Sequence, residues 1–141
     1  RPEILVVTGH DSLPRGNENL MQEDSYRSSR YFAETVRRAR ATQPDMDRLV
    51  IIAGACQSYY ELLMESGANF ASSPGRVLIH AMDPVILCAE IAYTPLQQRI
   101  DVEEAVALTF SGSQGIGGYD TMGKYRRGYP SGRRKIRSWG A

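Results

Sequence analysis

Leu49-Val50-Ile51-Ile52-Ala53-Gly54-Ala55-Cys56 is the stretch on which the fold turns. Its unbroken apolar run, closed by a glycine, has the length and character of a strand buried on both faces. Upstream, Ile4-Leu5-Val6-Val7 has the same form and leads into Thr8-Gly9-His10-Asp11. Between the two runs, Ser28 to Thr42 predicts a helix. Phe32, Val36 and Ala39 recur at helical spacing, Arg30, Arg37, Arg38 and Arg40 take other positions, and Pro44 stands just past the end. The polar stretch Ser12 to Tyr26, with Pro14, Gly16, Asn17 and Asn19, reads as a long loop beside the end of the first strand.

Working downstream, Tyr59 to Ser66 predicts a helix with Gly67 as its C′ residue. Phe70–Ser72 and Val77–His80 are expected to form a third strand region, interrupted by Ser73-Pro74-Gly75. Pro84 to Glu90 reads as a short helix, Ile91 to Tyr93 as a further strand, and Val102 to Phe110 as a helix. Ser111 to Gly118, with four glycines, reads as a flexible loop. Strands alternating with helices define the α/β class, with a mostly parallel sheet and helices on both faces. One domain over residues 1–118 is expected, followed by a basic, flexible tail over residues 119–141.

Composition narrows the function. A chain of 141 residues can bury one core, and no apolar run approaches the roughly 18–20 residues that span a bilayer. No membrane partner is expected. Arg1 stands where a start Met would, with no apolar signal segment after it, and the chain reads as a piece of a longer one. The net charge of +1 gives no general call for nucleic acid. Basic residues do cluster late, at Lys124, Arg126, Arg127, Arg133, Arg134, Lys135 and Arg137, either as a solvated terminus or as a surface for polyanions. Cys56 and Cys88 are too few for a disulfide scaffold, and with His10 and His80 they show no zinc-ligand spacing. No metal or cofactor is expected, and a reduced, intracellular setting suits a working thiol.

In parallel sheets the working residues collect beyond the carboxyl ends of the strands. His10 follows the first strand and Cys56 the second, so if those strands are neighbours the two side chains emerge at one edge. A cysteine attacks as thiolate. A helix starting just after Cys56 would favour that anion, a nearby imidazole would take the proton, and the Cys56 backbone N–H can donate to an oxyanion. The plain alternative is that Cys56 is a small core residue and His10 a hydrogen-bonded structural one. The order strand-His, then strand-Ala-Cys, is that of caspases, whose histidine lies about 50 residues upstream of the cysteine. A caspase-like three-layer arrangement is the corresponding expectation. His80 is a rival base, later in the chain than Cys56, and Cys88 reads as core.

Longer strings carry a more specific likeness. Thr8-Gly9-His10-Asp11, Tyr31-Phe32-Ala33-Glu34-Thr35-Val36 and Ile52-Ala53-Gly54-Ala55-Cys56-Gln57-Ser58 resemble the YabG family of sporulation peptidases. So do Gly67-Ala68-Asn69-Phe70-Ala71-Ser72-Ser73-Pro74 and Ile79-His80-Ala81-Met82-Asp83-Pro84, so the likeness runs from about Ile4 to Gly118. The resemblance implies a cysteine endopeptidase of spore-forming bacteria that cleaves spore coat and cortex-associated proteins after Arg or Lys. It implies Cys56 as nucleophile, His10 as base, and a location in the sporulating mother cell or at the forming spore coat. It also implies a further region before the catalytic part.

Two departures from wider caspase-like patterns stand out. Asp11 takes the place of the glycine that usually follows the catalytic histidine, so its backbone N–H is the expected second oxyanion donor. Gly54 stands where several relatives that cleave after basic residues hold an acid two positions before the cysteine. A basic side chain needs a carboxylate partner, and Asp83 is the leading candidate, with a cap for the helix at Pro84 as its other reading. Asp11, Asp120 and Glu90 are weaker rivals, and Ser72 and Ser73 are expected to contribute backbone contacts to substrate. Self-processing in the basic tail is a further expectation. The alternatives are a class I amidotransferase-like or DJ-1-like thiol hydrolase working with His80, and a non-enzymatic spore-coat binding module using the tail.

Overall fold

The computed structural model describes residues 1–14 and 19–126. Residues 15–18, inside the expected loop, and most of the expected basic tail lie outside the described residues. The chain begins with β1 (Ile4–Val7), a single 3-10 turn (Glu23–Ser25), α1 (Ser29–Thr42), β2 (Val50–Ala53), α2 (Tyr60–Glu65) and β3 (Phe70–Ser72). It continues with α3 (Asp83–Tyr93), β4 (Arg99–Ile100), α4 (Val102–Ala107), α5 (Gly112–Gly115), β5 (Ile116–Gly118) and β6 (Thr121–Met122).

The main sheet has the order β1-β2-β3-β5. β1 and β2 pair in parallel with Ile4 opposite Val50 and Val7 opposite Ala53. β2 and β3 are also parallel, with Ile52 opposite Phe70. Parallel neighbours need a crossover, and α1 and α2 supply the two here. The unbroken apolar run of β2 has a direct cause. Ile51 and Ala53 pack with Ala33 and Val36 of α1 and Leu63 of α2, while Val50 and Ile52 pack with Leu87 and Ile91 of α3 and Val106 of α4. A strand between two cores has no face left for polar residues.

The fourth strand makes the sheet mixed. β5 joins β3 antiparallel, with Phe70 opposite Gly118 and Ser72 opposite Ile116. The glycine-rich segment expected to be a flexible loop is therefore α5 and an edge strand. Its glycines serve close approach: a Cβ on Gly118 would collide with the Asn69 carbonyl oxygen and lie 2.6 Å from Phe70 Cδ1, and one on Gly117 would lie 3.0 Å from the Tyr60 hydroxyl. Two other expectations also change. Val77–His80 is not a strand, and Ile91–Tyr93 is the last turn of α3, where Ile91 fills the second core. Of the apolar residues in these two stretches Ile91 is buried while Leu78 and Tyr93 are exposed, so apolar character alone does not mark a strand. Beyond β5, Thr121–Met122 pairs antiparallel with β4, and Gly123 and Tyr125 bridge to Leu96 and Pro95.

Arg40, which the helical pattern placed among the polar residues of α1, braces the start of the sheet. Its guanidinium donates to the carbonyls of Gly67 at 2.9 Å and Leu49 at 2.8 Å and to Asn69 Oδ1 at 2.8 Å. Asn69 is buried and its Oδ1 also accepts the Ile51 N–H at 2.9 Å. Burial lowers the Arg40 pKa from its ordinary value, with Asp45 pulling the other way. Replacing Gly118 with Ala should destabilise the fold by about 1–3 kcal/mol, because the added methyl meets backbone that cannot move aside. A fall in the denaturant midpoint at unchanged slope is the expected readout.

Candidate active site

His10 and Cys56 each lie three residues beyond the register pair Val7–Ala53, on adjacent parallel strands. The Gly54 N–H continues the ladder one step further by donating to the Val7 carbonyl at 2.9 Å. The two residues therefore leave the sheet at the same edge. His10 is exposed and borders a shallow cleft with Asp11, Ser12, Arg27 and Ser28. Cys56 is partly buried, and both cysteines are free thiols.

The chain turns sharply around Cys56. Gly54 has φ +112° and Gln57 has φ +57°, so left-handed backbone flanks the cysteine on both sides. Such conformations cost free energy in a non-glycine residue and persist only where neighbours hold them. Here the Gln57 N–H donates to Val77 O at 3.0 Å and to Ser73 Oγ at 2.9 Å. α2 starts only at Tyr60, so the helix end expected beside Cys56 stands further along the chain. The direct partner of the sulfur is main chain: the Ile79 N–H donates to Cys56 Sγ at 3.3 Å, and Ile79 O lies 3.8 Å away as an acceptor for the thiol. This amide stands at the sulfur where a helix end was expected.

Two buried carboxylates hold this edge together. Asp11 accepts from the backbone N–H groups of Ser12 at 2.9 Å and Ser28 at 2.8 Å, and from the hydroxyls of Ser29 and, at 2.9 Å, Ser58. Those hydroxyls in turn accept from Tyr59 N and Ala55 N. The acid next to His10 thus locks the β1 loop, the start of α1 and the Cys56 turn together. Among the described residues, neither the Asp11 nor the Cys56 backbone N–H has an acceptor, so both are free to donate.

Asp83, expected to bind a basic substrate side chain, is 0 % exposed. Its oxygens accept from His80 N at 3.1 Å, Phe110 N at 2.8 Å and Ser111 N at 3.4 Å. In this conformation it presents no surface to a ligand, and its task is to brace two loops at the start of α3. Ser72 and Ser73 are fully buried. Ser73 has its N–H on Gly115 O, its carbonyl on Arg76 N and its hydroxyl between Gln57 N and Val77 O. Ser72 Oγ has no partner among the described residues, and the Ser72 Cβ would stand 3.0 Å from a Cβ on Gly54. Of the rival acids, Asp120 accepts the Val102 N–H at 3.0 Å.

His80 is exposed, meets the Phe110 ring in a tilted contact with centroids 4.3 Å apart, and accepts the Met82 N–H on Nδ1 at 3.1 Å. That contact puts the proton of a neutral His80 on Nε2, making it a donor. Cys88 is partly buried and packs against the second core. Sequence reasoning missed Arg76. Its guanidinium pairs with Glu61 at 2.6 Å, donates to the Tyr26 hydroxyl at 2.6 Å and lies 5.5 Å from the Tyr26 and Tyr59 ring centroids. Burial raises the Tyr26 pKa although the Arg76 hydrogen bond opposes it, so the hydroxyl stays protonated and donates to Leu20 O at 2.7 Å. Arg76 thereby anchors the loop whose continuation touches the thiol. Its two ring partners lie far apart in the chain, and only proximity to Ser73-Pro74-Gly75 hinted at it.

The fold and this edge define an α/β protein with a free thiol and an imidazole beyond the carboxyl ends of neighbouring parallel strands. Residues 1–130 match the family described as YabG peptidase U57. The sporulation-specific protease YabG of Bacillus subtilis (strain 168) is 49% identical over 130 residues, which cover 92% of this chain and 45% of that protein. The chain therefore belongs to the YabG peptidase family, and it spans somewhat less than half the length of that relative. No solved structure matches it. Among the described residues no helix is long and apolar enough to cross a membrane, and no cluster of three or more His, Cys, Asp or Glu residues is placed to hold a metal ion.

Two outcomes are expected from substitutions here. Gly54→Ala places a Cβ 3.0 Å from both Ser72 Cβ and Leu63 Cδ1 at a positive φ, and should cost about 1–3 kcal/mol while slowing alkylation of Cys56 by iodoacetamide. Asp83→Asn should cost roughly 1–3 kcal/mol in a denaturation experiment, because a charged acceptor of three N–H groups is lost, and should leave any preference for Arg or Lys unchanged.

Proposed function

We propose that this chain is the catalytic part of a cysteine endopeptidase that acts on proteins during sporulation, with Cys56 as nucleophile and His10 as general base. The observation that carries this reading is the β1–β2 register, which sets the two residues at equal distances past the ends of adjacent parallel strands. It is the arrangement anticipated for a caspase-like peptidase, and the cores on both faces of the sheet accord with the layered form expected of one.

In the proposed cycle His10 takes the Cys56 proton, and the Ile79 N–H helps carry the charge on sulfur. The thiolate adds to the scissile carbonyl, and the free N–H groups of Cys56 and Asp11 receive the oxyanion. The Asp11 carboxylate holds its own amide and the Cys56 turn in register through Ser58 and Ser29. His10 then protonates the leaving amine, and water hydrolyses the thioester with His10 again as base. Ser72 and Ser73 shape the floor under Gly54 and Gln57. Cleavage after Arg or Lys, spore coat and cortex-associated proteins as substrates, and action in the mother cell or at the forming coat are what the resemblance implies. The name of the Bacillus subtilis relative supports the link to sporulation.

Peptides carrying Arg, Lys or Leu before the scissile bond test this. Wild type should cut after Arg and Lys. Cys56→Ala should be silent, and His10→Ala should lose about 10²–10⁴-fold in kcat while remaining folded. A fully active His10→Ala with an inactive His80→Ala would transfer the role of base to His80.

A further inference from the structure

We propose that Leu78, His80 and Phe110 form a subsite beside the Cys56 thiol that receives a large aliphatic or aromatic side chain of the polypeptide substrate, within two residues of the bond attacked. The proposal rests on the reading of Cys56 as a peptidase nucleophile and adds a second element to the choice of substrate.

The placement follows from Ile79. Its backbone N–H touches the sulfur, and its Cγ2 turns inward, 3.4 Å from where a Cβ on Gly115 would stand. The residues on either side of it, Leu78 and His80, are exposed, Leu78 to 73 %. Phe110 meets the His80 ring in a tilted contact and is itself 71 % exposed. A single exposed apolar residue needs no explanation, but these are gathered next to a candidate nucleophile. A polypeptide advances about 3.3 Å per residue when extended. A chain whose carbonyl reaches Sγ and that runs along Ile79 lays its neighbouring residues over the segment that flanks it.

The surface is also preorganised. Asp83 binds the His80 and Phe110 amides with one carboxylate, and Ser111 Oγ accepts the same His80 N–H at 3.0 Å. Two loops distant in sequence are thereby held so that the His80 and Phe110 rings meet before any ligand arrives, which lowers the ordering cost of binding. With Asp83 buried and its charge taken up by N–H groups, the surface carries no exposed carboxylate from its own brace. Its chemistry suits an apolar side chain, and the His80 Nε2–H offers one donor at the rim.

The test uses peptides with a reduced –CH2–NH– bond after Arg, which bind without being cut. Each carries Leu, Phe or Gly in turn at the two positions on either side, and each is assayed for protection of Cys56 against iodoacetamide. The same sequences with normal peptide bonds are assayed for hydrolysis. At one position, Leu or Phe should protect about tenfold better than Gly, the discrimination that one apolar contact region supplies. Phe110→Ala and Leu78→Ala should each reduce that ratio toward one. Equal protection by all peptides, or a preference that survives both substitutions, overturns the subsite. Selective protection without hydrolysis of any normal peptide would sink the peptidase reading and leave the subsite standing.

Discussion

A single buried carboxylate sets the geometry on which this edge of the molecule depends. Asp11 accepts two backbone amides and two hydroxyls, and each hydroxyl hands its own oxygen to an amide next to Cys56 or at the start of α2. A buried charge is tolerable only when its lone pairs are filled, and here the donors come from three separate segments. The requirement that Asp11 be satisfied is therefore a requirement that the β1 loop, the head of α1 and the Cys56 turn keep one arrangement. Asp83 does the same for the opposite wall, joining the 80–83 segment to residues 110–111.

Between these braces the Cys56 turn departs from low-energy backbone. Gly54 answers a steric demand, since its φ and the closeness of Ser72 and Leu63 leave no room for a side chain. An acid two residues before the cysteine cannot be accommodated on this backbone. Gln57 has no such freedom and is held by Ser73 and Val77. The segment that stabilises the turn is the one that presents Ile79 to the sulfur, and Arg76 fastens it to Glu61 and Tyr26. Strain at the turn, the amide on sulfur and the buried arginine thus belong to one mechanical unit.

Much of the architecture was legible because burial writes itself into apolar runs. The strands at Ile4–Val7 and Val50–Ala53, the helix ending at Thr42 and the shared edge of His10 and Cys56 all follow from run length, helical spacing and the strand-end rule. The errors came where one pattern has two causes. Ile91 and Tyr93 are apolar in a helix as they would be in a strand, and Gly117 and Gly118 mark close approach as readily as flexibility. Val77–His80 is apolar enough for a strand, yet it forms a wall beside the thiol.

The sequence by itself determined the α/β class, the two parallel strands that end at the thiol and the imidazole, and, through long literal strings, the family. Those depend on local pattern and on residue type, which a linear reading can hold. Only the tertiary structure decided what the polar residues do. Asp11, Asp83, Arg40 and Arg76 are all charged side chains with ordinary surface or substrate-binding readings in the chain. Each is instead tied to backbone or side-chain partners brought from distant segments. Hydrogen bonds are directional and short, so a polar group's role is set by the few atoms around it in space, whereas an apolar residue's role is set by burial alone.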